Sequence, residues 1–174
     1  FGVQVTANKR SFAQRDEMVA SVISDKAGYL RLYYIDKNGE AALIFPNHYQ
    51  LENKIAAGKR VQVGGETFPF IFRMTGSKGT EMLLAAVSPT QFTDHEAIDF
   101  SKEEPLKSLG NIDSVRSLLD RGTKEIEVDE RPTATERPAQ IGRAAFIYDI
   151  RYNNGDPQKR LIGDRPHALS SRAE

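Results

Sequence analysis

GYLRLYYIDKNGEAALIFPN, residues 28–47, decides how the chain is read. It splits into two apolar stretches around Asp36-Lys37-Asn38-Gly39. Successive side chains of a strand point to opposite faces. On the first stretch Tyr29, Arg31, Tyr33 and Ile35 therefore share one face, and Leu30, Leu32 and Tyr34 the other. Tyr, Leu and Ile suit a pleated, half-buried surface. Arg31 is the only strong charge inside; its stem is expected to lie along the sheet while its head reaches water. Asn38-Gly39 tolerates the positive φ that a tight hairpin turn requires. After Glu40 the second stretch is apolar throughout, which implies burial on both faces and a central strand. Pro46 lacks a donor and ends it.

Outward from this hairpin the pattern stays β. Val3 and Val5 alternate with Gln4 and Thr6, as on an edge strand. Residues 8–16 form a polar connection anchored by Phe12 and ending in a turn at Arg15-Asp16. Residues 17–24 read as one strand, and residues 47–59 as a loop. Residues 60–63 form a short strand stopped by Gly64-Gly65. Residues 67–74 (TFPFIFRM) read as a strand with Phe68, Phe70 and Phe72 facing the core. Gly76-Ser77-Lys78-Gly79 then closes a hairpin into residues 81–88, ended by Pro89; propensity alone also allows a helix there, but the place directly after a strand and a glycine turn favours a strand. Strands at this spacing favour a sandwich or barrel over alternating strands and helices.

From about Gln91 the character changes. Residues 92–109 carry many acids and read as an extended or partly helical excursion. Asn111 or Asp113 can cap a helix over 114–119 that Gly122 stops. A short strand is expected at 124–128 and a proline-rich exposed loop at 129–138. Residues 140–152 return to strand, with Gly142, Ala144, Phe146, Tyr148, Ile150 and Tyr152 facing the core. The polar extension 153–174 is expected to be disordered alone, and to order only against a partner or the domain body.

Composition excludes several functions. Lys+Arg and Asp+Glu are each 24 among 174 residues, so the formal net charge is zero and the strong basic footprint of a nucleic-acid binder is missing. The basic pairs Lys9-Arg10, Lys59-Arg60 and Lys159-Arg160 read as solvated loops. With no cysteine there is no disulfide, thiol catalysis, iron–sulfur cluster or Cys-based zinc site. No apolar run approaches the roughly 20 residues that span a bilayer. The chain starts at Phe1 rather than Met, as a processed or truncated piece would; a removed leader or anchor is the expected route to any membrane association.

No residue pattern nominates a catalytic, metal or cofactor site, and ligand-binding residues cannot be assigned. His48, His95 and His167 have no metal-ligand spacing. Asp94-His95-Glu96 reads as a solvated acidic loop. Asp36-x-Asn38-Gly39 resembles the start of a calcium loop but lacks the later oxygen ligands. Gly76-x-x-Gly79 matches the backbone clamp of an RNA-binding domain, but an aromatic strand precedes it where a helix is needed. Tyr29, Tyr33, Tyr34 and Phe45 could form a stacking platform for a sugar or single strand; the core has the stronger claim on them.

The hairpin resembles the signature of a bacterial family of unknown function, DUF4384. Gly28-Tyr29-Leu30, Tyr33-Tyr34-Ile35-Asp36, Asn38-Gly39 and Leu43-Ile44-Phe45-Pro46-Asn47 are similar to a GYLYLFYVDADGKVTLLFPN string. Asp16 fits the family's Gly-Asp start, with Gln14-Arg15 in place of the usual glycine. Asn53, Ile55, Ala57-Gly58 and Val61 resemble the stretch after the string. Gly79-Thr80-Glu81 with Leu83-Leu84-Ala85 resembles its closing G-x-E-x-L-x-A strand. The resemblance covers about residues 3–89.

The fold it implies is an immunoglobulin-like antiparallel β-sandwich, mainly β, with a short helix and an extended C-terminal tail. One domain is expected over 1–152: a family-like core at 3–89, an insertion with the helix at 92–138, and a returning strand at 140–152. The implied function is non-enzymatic, as an interaction or structural module of an exported bacterial cell-envelope protein within a secretion or surface complex. A ligand-sensing module for a glycan or peptide, appended to an effector domain, is the alternative. The expected partners are other envelope proteins, with no nucleic acid and no cofactor, and the expected location is the periplasm or cell envelope.

Overall fold

The computed structural model of the chain describes residues 1–76, 78–101, 107–120 and 140–151. Its strands are β1 (Val3–Ala7), β2 (Ser11–Ala13), β3 (Glu17–Met18), β4 (Ala20–Ser24), β5 (Gly28–Ile35), β6 (Glu40–Phe45), β7 (Lys54–Ile55), β8 (Val61–Val63), β9 (Phe72–Arg73), β10 (Gly79–Ser88), β11 (Lys107–Asn111) and β12 (Gly142–Arg151). One 3-10 turn covers His95–Ala97, and one helix, α1, covers Ile112–Asp120.

The Asp36–Gly39 turn closes on itself. Gly39 has φ +82°, Gly39 N donates to Asp36 O (3.0 Å), and Asp36 Oδ1 accepts from Asn38 N (2.8 Å) and Glu40 N (2.9 Å). β5 and β6 pair antiparallel across it inside a large sheet ordered β11-β6-β5-β10-β12-β2, with β7 also on β5. β1, β4 and β8 form a three-stranded antiparallel sheet, and β3 pairs with β9. The chain is thus mainly β and largely antiparallel, the class its sequence implies. The exception is β2, which runs parallel to β12. This strand order does not by itself establish the immunoglobulin-like arrangement.

Side-chain alternation separates two cores. Leu30 and Leu32 of β5, Leu83, Ala85 and Val87 of β10, and Phe146 and Tyr148 of β12 face the small sheet, where Val5, Ala20, Val22 and Val63 meet them. On the opposite face Tyr33, Ile35, Ala41 and Leu43 pack under Phe92, Phe100, Val115 and Leu119. The large sheet is therefore the middle of three layers, and β5 and β6 are buried on both faces as expected for central strands. Gly28 lies where β5 meets the end of β10: a Cβ there would sit 2.5 Å from Ser88 O, so the first letter of the signature marks a close backbone approach.

Five expectations are corrected. Residues 17–24 are two strands in different sheets. The Asn8 side chain causes the break: its Oδ1 accepts from Val19 N (2.9 Å) and its Nδ2 donates to Glu17 O (3.0 Å), replacing ladder partners. Residues 67–74 keep only β9 as strand, because Pro69 cannot donate and Phe68 N turns back to Gly65 O (3.0 Å). The three phenylalanines still pack on the core, Phe45 meeting Phe68 edge-on at 5.9 Å. Residues 76–79 do not close a hairpin, since β9 pairs with β3 and β10 with β5 and β12. Residues 47–59, read as a loop, supply β7, which pairs with β5. Arg31 does not reach water; it is fully buried.

β1 at an edge, β8 ahead of Gly64, β10, the extended or partly helical stretch 92–109 with its 3-10 turn and the start of β11, α1 following Asn111, and β12 with its even-numbered residues inward agree with the sequence, whereas β2 adds a strand inside the connection read over 8–16. Gly122, the strand expected at 124–128, the loop at 129–138, Tyr152, Lys159-Arg160, His167 and the extension 153–174 lie outside the described residues.

Arg15 has φ +70° at the turn before β3. This left-handed conformation costs an L-residue about 1 kcal/mol or more, part of which a glycine returns as unfolded-state entropy. Arg15→Gly is expected to stabilise the fold by about 0.5 kcal/mol, read as a higher urea midpoint at unchanged slope. The backbone bond from Arg15 N to Met74 O (2.6 Å) is retained. A lower midpoint would show that the Arg15 side chain matters more than its backbone.

Candidate functional site

The residues weighed from sequence separate into two groups. Asp36, Asn38 and Gly39 build the hairpin turn described above. Tyr33 and Phe45 are core residues, so the stacking platform does not form. His48 and His95 both meet Phe100: His48 Nδ1 lies 3.0 Å from Phe100 O, and the His95 and Phe100 ring centroids are 5.4 Å apart. Among the described residues no group of three His, Asp or Glu side chains could hold a metal.

Asp94 and His95 are partly buried while Glu96 is exposed, so the trio is only in part the solvated loop its sequence implies. Asp94 Oδ1 sits 2.8 Å from Arg31 Nη1, off the N–H direction, so the contact is an ion pair rather than an aligned hydrogen bond. The Arg31 guanidinium also lies 4.3 Å from the Phe92 ring centroid. Burial, then the nearby Arg31 charge, holds the His95 imidazole below its ordinary value. This cluster fastens the segment after β10 onto the large sheet.

The opposite face carries a cleft of about 270 Å3. Its walls are mostly apolar: Met18, Ile44, Phe70, Phe72, Met74 and Ile150, with Tyr49 and Ile71 beside them. Glu81, only 5% exposed, also lines it. Alternation places Glu81 there, because it shares its face of β10 with Leu83, Ala85 and Val87. The Tyr34 hydroxyl donates to Glu81 Oε2, and Tyr148 faces Glu81 directly across the β10–β12 ladder. Glu81 Oε1 and the Tyr148 hydroxyl are buried with no hydrogen-bond partner. A carboxyl and two phenols thus cross three adjacent strands, and the carboxyl keeps one unused oxygen. Sequence reasoning misses Glu81 as a site residue, although a cue is present. A Glu at an inward register of an apolar strand is a buried polar group that needs a partner.

Burial pushes the Glu81 carboxyl above its ordinary value of 4.5; the Tyr34 bond and Lys37 pull it down and Asp36 adds to the rise. Burial likewise raises both phenols, with the Glu81 charge adding to each. The folded state therefore holds the Glu81 proton more tightly than the unfolded chain does. This contribution to stability is present below 4.5 and is lost as pH rises through the folded value. Glu81→Gln removes the titration and keeps an acceptor for Tyr34. The melting temperature of the variant minus that of the parent is expected to grow from about pH 4 to about pH 8. A difference that shrinks over that range would refute this account of Glu81.

Among the described residues no helix is long and apolar enough to cross a membrane. No curated protein and no solved structure matches the chain. Residues 11–91 match the model of the family described as Domain of unknown function (DUF4384), which takes in β5, β6, β10 and every lining residue of the cleft except Ile150. The family model thus matches over residues 11–91 and agrees with the resemblance carried by the 28–47 hairpin.

Proposed function

We propose that the chain is a non-enzymatic interaction module of an exported bacterial cell-envelope assembly, and that the cleft is where a partner protein docks. One observation carries this reading: Tyr49 and Ile71, 57% and 49% exposed, stand at the cleft as apolar side chains in water. Leu51, 55% exposed, lies two residues from Tyr49. Grouped exposed apolar residues mark protein–protein contact surfaces and ligand-binding grooves. The envelope location comes from the family resemblance.

The test is a photo-crosslinking residue at position 71 of the full chain in its native host. A discrete adduct with an envelope protein, absent when the crosslinker is moved to exposed Lys59, supports the reading. Adducts only with cytosolic proteins, or none, would discard it. A ligand-sensing module is the second reading, favoured by the depth at which Glu81 sits. Stabilisation of the purified chain by a small glycan or peptide would select it.

A further inference from the structure

We infer that the cleft receives a lysine side chain borne on an apolar segment of a partner protein, with its ammonium against Glu81. This deepens the docking reading and rests on it for the identity of the bearer. Glu81 Oε1 is buried without a partner at a cleft of about 270 Å3, far more than the ~10–15 Å3 one water needs. The space therefore suits a side chain rather than a single structural water.

Charge selects a cation. Among the described residues, Glu81 is the one acidic side chain lining the cleft. Arg73, also at the lining, is already engaged: its Nη1 donates to Arg15 O (3.1 Å) and its Nη2 lies 3.4 Å from Glu17 Oε1. The other charged or titratable groups near Glu81 are Tyr34 on β5, Asp36 and Lys37 on the turn, and Tyr148 on β12; His48 lies on the wall.

Shape selects lysine over arginine. A guanidinium presents five donors in a planar fork that pairs best with both oxygens of a carboxylate, but Oε2 is already taken by Tyr34. An ammonium is a compact charge that one carboxylate oxygen can pair. Met18, Ile44, Phe72 and Ile150 offer apolar wall to a four-carbon stem. Exposed Tyr49 and Ile71 offer contact to apolar residues flanking the lysine.

The experiment titrates the purified full chain with Nα-acetyl-lysine methylamide, its norleucine isostere and n-hexylamine, following methyl resonances of Met18, Met74 and Ile71. The lysine probe is expected to bind about tenfold tighter than norleucine, as one charge-assisted contact implies. Glu81→Gln is expected to erase that preference and Glu81→Asp to keep part of it. Equal binding of lysine and norleucine to the parent overturns the inference without any variant. So does a preference that survives Glu81→Gln. Binding of hexylamine alone would reassign the cleft to small amines, and concentration-dependent self-association through Ile71 would reassign it to a second copy. Lost lysine preference with intact crosslinks at position 71 discards only the ligand chemistry. Lysine preference without crosslinks discards the partner.

Discussion

Asp94→Ala is expected to destabilise the protein by about 3 kcal/mol, the lower end of what removing one partner of a buried ion pair costs. The low end applies because the Asp94 side chain is 25% exposed while that of Arg31 is 0% exposed. Without Asp94 the guanidinium stays between the large sheet and Phe92 with no counter-charge, and the Phe92 face offsets only about 1–2 kcal/mol. The reciprocal change behaves differently. Arg31→Met removes the charge that needs compensation and leaves Asp94 able to turn to water, so its cost is expected near 1 kcal/mol. The double variant Arg31→Met/Asp94→Ala should then be more stable than Asp94→Ala alone. Urea unfolding of the four proteins decides. If Arg31→Met is the more damaging single change, the pair is not what holds the segment after β10 to the sheet.

This pair also shows where sequence reading runs out. The 28–47 hairpin is legible because its information is local: period-two alternation, a turn with Asn-Gly, and a proline stop. β12 is legible for the same reason, its even residues being apolar. Arg31 reads toward water because an isolated strand does not reveal that a second layer covers that face. The covering residues, Phe92, Phe100, Val115 and Leu119, arrive much later in the chain. Arg31 stands where the resembled string has Tyr, and its counter-ion Asp94 lies beyond the matched residues 11–91. The pair therefore joins the matched segment to the chain beyond it. β3 and β4 read as one strand because nothing local shows that Asn8 intercepts Val19. On the cleft side more is available. Tyr34 and Glu81 are both letters of the resembled motif, and the inward register of Glu81 is countable. The cavity is not countable, because it depends on how the Phe68–Phe72 loop leaves the sheet.

Phe12→Ala is expected to cost about 3–5 kcal/mol, the range for emptying a fully buried aromatic site. Phe12 has no exposed surface, and its ring meets Tyr148 edge-on with centroids 5.4 Å apart. It belongs to β2, a three-residue strand that pairs parallel with β12 at the end of the large sheet. Backbone pairing there is short, helped by Asp149 N donating to Arg10 O (2.9 Å) and Arg151 Nε to Ser11 Oγ (3.0 Å). Phe12 must therefore supply most of the attachment through apolar burial. Phe12→Leu keeps much of that volume and is expected to cost about 1–2 kcal/mol. The consequence reaches the cleft, because Tyr148 is held by Phe12 on one side and opposes Glu81 on the other. A Phe12→Ala protein that remains folded should show a smaller lysine-over-norleucine preference, although Phe12 lines no part of the cleft. If Phe12→Ala costs less than about 1 kcal/mol, β2 is only an edge passenger. The second phenol of the site would then be set by β12 alone.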